Sequence, residues 1–294
     1  MKKFVIDEAF LQQVESMQTI LKQNVSGLFG GNRKSRNFGS SCEFADYRDY
    51  GRGDDVSKID WNAYARFERL YLKLYLDERQ MHTKIYIDAS RSMDFGEGGK
   101  AEQAIRLAAA IAYISICEMD RVSVYVICEG KVSEVIPAIV GKDAYFSSIA
   151  ALNDVTFVGD SHISKAILPT NVGYGDGLSI LISDFLTDNN YEDAIDLFTD
   201  KKRDVLCVQI LSSEELNPQT RGKVHLFDSE NDTLQYRKNV DREIARAYRA
   251  ALEYATARIE QYCKARGGNY LLLNAETPVT RVILEQMVDR EVLR

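Results

Sequence analysis

Strand-length apolar runs and helix-length amphipathic stretches take turns along most of this chain. Thr83 to Asp88, Val122 to Cys128, Leu178 to Asp184 and Val205 to Leu211 are rich in Val, Ile and Leu and predict strands. Tyr270 to Leu273 predicts a last strand, and Val132 to Val140 one that returns from a turn at Gly130. Lys100 to Met119 is apolar nearly all round from Leu107 to Cys117, which predicts a helix buried against a sheet. Lys142 to Leu152, Ile163 to Leu168, Tyr191 to Phe198 and Val279 to Val288 are shorter helical patterns. A long one runs from Asp241 to Arg266, with Ile244, Tyr248, Ala251, Ala255, Ile259 and Tyr262 as its apolar face, and Gly267-Gly268 ends it. Strands alternating with helices predict an α/β protein with a Rossmann-like, doubly wound, mainly parallel sheet and helices on both faces. Val224 to Phe227 and Thr233 to Tyr236 flank a polar turn, Asp228 to Asp232, and predict a small β-hairpin insertion.

The N-terminal part has a different texture. Asp7 can cap a helix whose apolar residues Phe10, Val14, Met17 and Leu21 recur at helical spacing, and Gly27 stops it. Gly30 to Gly39 is a loop carrying Arg33, Lys34 and Arg36, without the frame of a phosphate-binding loop. From Glu43 to Arg66 acids and bases alternate closely, Gly51 and Gly53 mark turns, and Asp60 can cap a short helix holding Trp61. Such alternation predicts ion pairs that brace an irregular signature segment. The functional reading of the same residues is a docking surface built from Arg48, Asp54, Asp55, Asp60, Trp61 and Arg66. Leu70 to Asp77 alternates apolar and polar, as a strand with one wet face does. The expected division is residues 1–80, an N-terminal helix and signature segment packed on the sheet domain, and 81–294, the sheet domain itself.

Composition narrows the class. The 294 residues are 45% hydrophobic and 28% charged, as in a soluble globular protein. The longest apolar run is too short for a bilayer, and the start of the chain has no secretory pattern. Five scattered cysteines, Cys42, Cys117, Cys128, Cys207 and Cys263, read as reduced thiols of a cytoplasmic protein rather than a zinc site. A net charge of −7 argues against nucleic acid as the main partner.

The candidate chemistry lies in Ile85-Tyr-Ile-Asp-Ala-Ser-Arg-Ser-Met-Asp94. A buried strand ending in Asp88 delivers a carboxylate where open α/β sheets bind ligands. Ser90 and Ser92 follow on the loop, and one carboxylate with two hydroxyls suits a hard cation such as Mg²⁺. An enzyme reading, a metal-dependent phosphoesterase, is the alternative. A phosphatase using Asp88 as nucleophile wants a second acid two residues on, where Ser90 stands. A serine hydrolase wants a positioned base, and only His82, His162 and His225 exist. No catalytic set is evident.

The Asp-x-Ser-x-Ser pattern resembles the metal-ion-dependent adhesion site of von Willebrand factor A domains. Gly159-Asp-Ser161 with Ala166-Ile167, and Leu181-Ile-Ser-Asp184, are similar to that family's second and third loops. The resemblance implies a von Willebrand factor A-like fold and a Mg²⁺ (or Mn²⁺) site of Asp88, Ser90, Ser92, Ser161 and Asp184. Such a site is either weak or completed by a partner's carboxylate. With few carboxylates and several neutral hydroxyls, the cation would stay electron-poor and bind an incoming Asp or Glu. The simpler reading is that Asp88 and Asp184 only bond to loop amides and cap the next helices. The string Asp46-Tyr-Arg48, Gly53-Asp-Asp55, Ile59-Asp-Trp61 and Ala65-Arg66, with Glu78-Arg79, resembles the family catalogued as domain of unknown function 58. Members of that family pair this signature with a von Willebrand A-like domain, and many carry N-terminal membrane helices that this chain lacks. The resemblance implies a non-enzymatic interaction module that serves a MoxR-type AAA+ ATPase in protein assembly or maturation.

Overall fold

A computed structural model describes residues 6–24, 44–75, 80–94, 99–175, 177–187, 190–218, 222–227, 235–240 and 242–287. In chain order the elements are α1 (Glu8–Asn24), β1 (Phe44–Asp49), α2 (Trp61–Phe67), β2 (Tyr71–Tyr75), β3 (His82–Asp88), α3 (Lys100–Cys117), β4 (Arg121–Cys128), β5 (Lys131–Ile139) and α4 (Lys142–Ser148). They continue with α5 (Ile163–Ile167), β6 (Leu178–Ser183), α6 (Glu192–Asp200), β7 (Asp204–Leu211), α7 (Ser213–Leu216), β8 (Gly222–Phe227), β9 (Gln235–Val240), α8 (Arg242–Ala265), β10 (Asn269–Asn274) and α9 (Val279–Arg281). Two compact units form: one holds α1 and the described residues from Met81 on, the other the segment of β1, α2 and β2 that ends at Gln80.

The larger unit is a six-stranded sheet in the order β10-β7-β6-β3-β4-β5. Every neighbouring pair is parallel except β4 with β5, so the sheet is mainly parallel with one antiparallel edge. Register puts Tyr125, Tyr86, Leu181, Cys207 and Tyr270 in one row across it. That face carries a core with Ile163, Ala166 and Ile167 of α5, Ala194, Ile195 and Phe198 of α6, and Ile259 and Cys263 of α8. The adjacent strand residues, such as Ile85 and Ile87, point the other way because strand side chains alternate. There α3 lies along the sheet with nearly its whole length buried, as its all-round apolar pattern requires. The arrangement is the doubly wound α/β fold with helices on both faces. The β8–β9 pair is antiparallel and forms the separate hairpin, whose expected turn, Asp228 to Asp232, lies outside the described residues. Among the described residues, no helix is long and apolar enough to cross a membrane. Among the described residues Cys117, Cys128, Cys207 and Cys263 form no disulfide, and Cys42 lies outside the described residues.

Asp7 caps α1 as expected, its Oδ1 accepting from the Phe10 amide at 2.8 Å, and Phe10, Val14 and Met17 are buried. Three local readings change. Of the apolar face assigned to α8, only Ile259 is fully buried, while Ile244 and Tyr248 are more than a third exposed. A helix of 24 residues is about 36 Å long, far longer than the strand it covers, so its N-terminal half runs past the sheet. The helix expected over Val279 to Val288 is a short turn of α-helix, α9, followed by a π-helical turn over Val282–Met287, and Val288 is not described. The signature segment is less irregular than its charge pattern suggests. Phe44–Asp49 is a strand paired antiparallel with β2, from Phe44 opposite Tyr75 to Asp49 opposite Tyr71.

Candidate metal centre

The chain leaves β3 for β4 and β5 on one side, then returns to lay β6 against the other side of β3. The switch leaves a crevice at the carboxyl ends of β3 and β6, the usual ligand position in such sheets. Asp88 ends β3 and Asp184 follows β6, so both carboxylates arrive there.

Asp88 is fully buried. Its Oδ1 accepts the Ser90 amide at 3.0 Å. Its Oδ2 accepts two hydroxyls, Ser161 Oγ at 2.7 Å and Ser183 Oγ at 2.7 Å. Ser90 and Ser92 share a hydrogen bond, Oγ to Oγ at 3.1 Å. Ser161 is carried to this point by two backbone bonds between its loop and the loop after β3, Val158 N–H to Ala89 O at 2.8 Å and Arg91 N–H to Gly159 O at 2.9 Å. Gly159 is required there: its φ is +73°, and a side chain would run into Glu129.

Burial drives the Asp88 pKa above the ordinary carboxylate value, and the nearby charge of Asp184 adds to this, against the three hydrogen bonds that favour the anion. Among the described residues no cationic side chain bonds Asp88. Asp184 is different. Its Oδ1 accepts the Leu186 amide at 3.2 Å, and its Oδ2 accepts the ammonium of Lys100 at 2.9 Å. Lys100 Nζ also donates to Glu215 Oε1 at 2.6 Å. Burial opposes the charge of Lys100, but Asp184 and Glu215 outweigh it and raise its pKa above the usual lysine value. Phe185 adopts φ 51°, a left-handed conformation that is uncommon for a bulky residue, and is buried against Tyr191. The Asp184 carbonyl accepts from Gln209 at 2.7 Å, and Tyr270 donates in turn to Gln209.

The five residues expected to ligate a metal therefore gather at one crevice. Both acids do bond loop amides, through Ser90 and Leu186, but loop amides are not their only partners, since Ser161 and Ser183 bond Asp88 and Lys100 bonds Asp184. The sequence reading overlooked Ser183, Lys100 and Glu215. Ser183 sits inside an apolar strand run. Lys100 reads as the first residue of an ordinary helix. Glu215 had a legible signal, the Ser-x-x-Glu of a capping box from Ser212, and that box is formed. The donor set fits a hard divalent cation: every donor is oxygen, and one buried carboxylate, Asp88, has no cationic side chain on it among the described residues. Among the described residues, no three His, Cys, Asp or Glu side chains cluster as ligands, so serine hydroxyls would supply most of the coordination.

The histidines considered as bases are placed in different settings. His82 sits at the far end of β3, with Nε2 2.9 Å from Ser123 Oγ. His162 precedes α5, and His225 lies on the hairpin strand β8.

The signature residues form their own arrangement in the smaller unit. Asp60 caps α2, accepting from the Asn62 and Ala63 amides, and also accepts from Tyr47 Oη at 2.8 Å and pairs with Lys73 at 3.3 Å. The Tyr47 hydroxyl is the main cause of its lowered pKa. The Gly51 amide and Arg48 hold Asp54 low as well, with Arg48 2.7 Å away, and Ser57 does so for Asp55. These contacts are the expected bracing. Trp61 is 61% exposed and meets Tyr64 edge-on, and Arg66 lines a cleft of about 750 Å³ together with Tyr47, Asp60, Phe67 and Tyr71. Glu43, Glu78, Arg79 and the basic loop lie outside the described residues.

Comparison with known proteins bears on most of the chain. The family model described as protein of unknown function DUF58 matches residues 46–260, and the chain belongs to this family. An uncharacterized protein of Mycobacterium tuberculosis is 23% identical over 236 residues, covering 78% of this chain and 74% of its own, and one of Mycobacterium bovis matches equally. Among solved structures, an aerotolerance-related membrane protein of Bacteroides fragilis is similar with 15% identity and a TM-score of 0.42, over 72% of this chain and 98% of its own. The SpRpn10 VWA domain is similar with 8% identity and a TM-score of 0.40, over 71% of this chain and 95% of its own.

Proposed function

We propose that this DUF58 protein is a non-enzymatic interaction module whose metal centre, with Mg²⁺ or Mn²⁺ held by Asp88, Ser90, Ser92 and Ser161 beside Asp184, binds an acidic side chain of a partner. The observation that carries this reading is the Asp88 carboxylate. It is fully buried, bonded only by neutral donors among the described residues, and raised in pKa by its surroundings. A buried charge of this kind is costly until a cation joins it. A bound divalent cation would supply a Lewis-acidic position for a carboxylate. The chain's own residues would neutralise it only in part, which favours an anionic partner. The resemblance that the sequence carries implies a MoxR-type AAA+ ATPase as the machine this module serves, and the scattered, unpaired spacing of the cysteines in the sequence favours a cytoplasmic setting.

Calorimetric titration of Mg²⁺ and Mn²⁺ to millimolar concentration, on the wild type and on Asp184→Ala and Asp88→Asn, tests the proposal. Saturable binding in the wild type that is lost in Asp88→Asn and weakened in Asp184→Ala is expected. Equal binding in all three proteins would overturn it. Capture of a MoxR-type ATPase that survives Asp88→Asn would remove the metal from the interaction.

A further inference from the structure

One acid of the crevice already has a cation, and that cation is a side chain. Lys100 is the first residue of α3 and is only 3% exposed. Its ammonium bridges Asp184 Oδ2 at 2.9 Å and Glu215 Oε1 at 2.6 Å. Glu215 is itself fixed, because its Oε2 accepts both the amide and the hydroxyl of Ser212, at 2.7 Å and 3.0 Å. With Leu186 N–H on Oδ1, both oxygens of Asp184 are engaged by donors. Asp184 is also close enough for its charge to act on Asp88. A divalent cation at Asp88 and the serine hydroxyls therefore enters the field of the Lys100 ammonium and meets an Asp184 whose charge is already spent.

We infer that Lys100 is a built-in competitor of the divalent cation: its ammonium holds Asp184 and keeps the affinity of the centre for metal low. The inference rests on the cation-binding reading above and adds a residue that sets the strength of binding. Charge repulsion at this range, in a partly buried site, is worth at least about a tenfold change in affinity. Neutralising Lys100 frees Asp184 and removes the repulsion together.

The test is Mn²⁺ titration, by calorimetry and by the loss of the free-ion paramagnetic resonance signal. The full chain is used as wild type, Lys100→Gln, Lys100→Arg and the double variant Lys100→Gln/Glu215→Gln. Lys100→Gln should bind Mn²⁺ at least about tenfold tighter than wild type, and Lys100→Arg should stay near wild type because it keeps the charge. The double variant removes one positive and one negative charge, so it frees Asp184 without changing the net charge of the trio. It should also bind tighter, and it decides the matter should Lys100→Gln alone fail to fold. Binding by the Gln variants no tighter than a wild type that does bind would overturn the inference and leave the metal centre standing. Absence of binding in wild type and all variants would overturn the metal centre itself, and this inference with it. Binding by the Gln variants alone would support both.

Discussion

Ser183 donates to Asp88 Oδ2 at 2.7 Å, the same oxygen that Ser161 bonds. Both groups are fully buried, and the Ser183 oxygen also accepts the Phe185 amide at 3.0 Å. Ser183 thus ties the carboxylate of β3 to the strained turn that presents Asp184. Ser183→Ala removes one hydrogen bond from a buried anion and leaves an amide without its acceptor. It should cost about 1.5–3 kcal/mol of stability, read as a lower denaturant midpoint with an unchanged slope.

Asp88→Asn should act in the opposite direction when metal is withheld. Burial and Asp184 disfavour the Asp88 anion, and the serine hydroxyls around it can turn to accept from an amide. In chelator the variant should be more stable than wild type by about 0.5–2 kcal/mol. Added Mn²⁺ should raise the melting temperature of wild type and leave that of the variant where it was.

His82 gives the chain a pH dependence remote from the crevice of Asp88 and Asp184. Burial, then the charges of Lys84, Arg203 and Arg121, push its pKa down from 6.5 to about 4. The folded state therefore prefers neutral imidazole. The associated stability is fully present above pH 6.5 and is lost as pH falls toward 4. Because the ring is half-buried, solvent screening reduces the effect below what the shift alone suggests. Wild type should lose stability faster than His82→Gln between pH 6.5 and 4, in matched denaturant titrations. Parallel curves would refute this.

Phe198 packs in the core beneath α6, fully buried, with its ring 5.3 Å from that of Tyr86. Phe198→Ala should cost about 3–5 kcal/mol, whereas Phe67→Ala, at a 66% exposed ring of the smaller unit, should cost far less. Thermal unfolding of the two variants makes the comparison.

The sequence by itself determined the alternation of strands and helices, because periodicity and β-branched runs are local properties that each segment carries alone. It also determined which oxygen-bearing residues gather at the end of β3, since Asp88, Ser90 and Ser92 sit within one turn of chain. The Asp60 cap and the Asp7 cap were legible for the same reason, each being a side chain bonding amides two or three residues on. The tertiary structure alone decided what meets across strands. Ser183 and Asp88 are 95 residues apart, and Lys100 and Asp184 are 84 apart. Nothing periodic in the chain marks β6 as the neighbour of β3, or aims the first residue of α3 at the acid after β6. Strand Phe44–Asp49 was hidden likewise, because its pairing with β2 rests on backbone bonds that its charged sequence does not advertise. Local patterns follow from backbone geometry, while the pairing of a buried lysine with one acid, and of serine hydroxyls with the other, follows from which chain segments share a low-dielectric crevice.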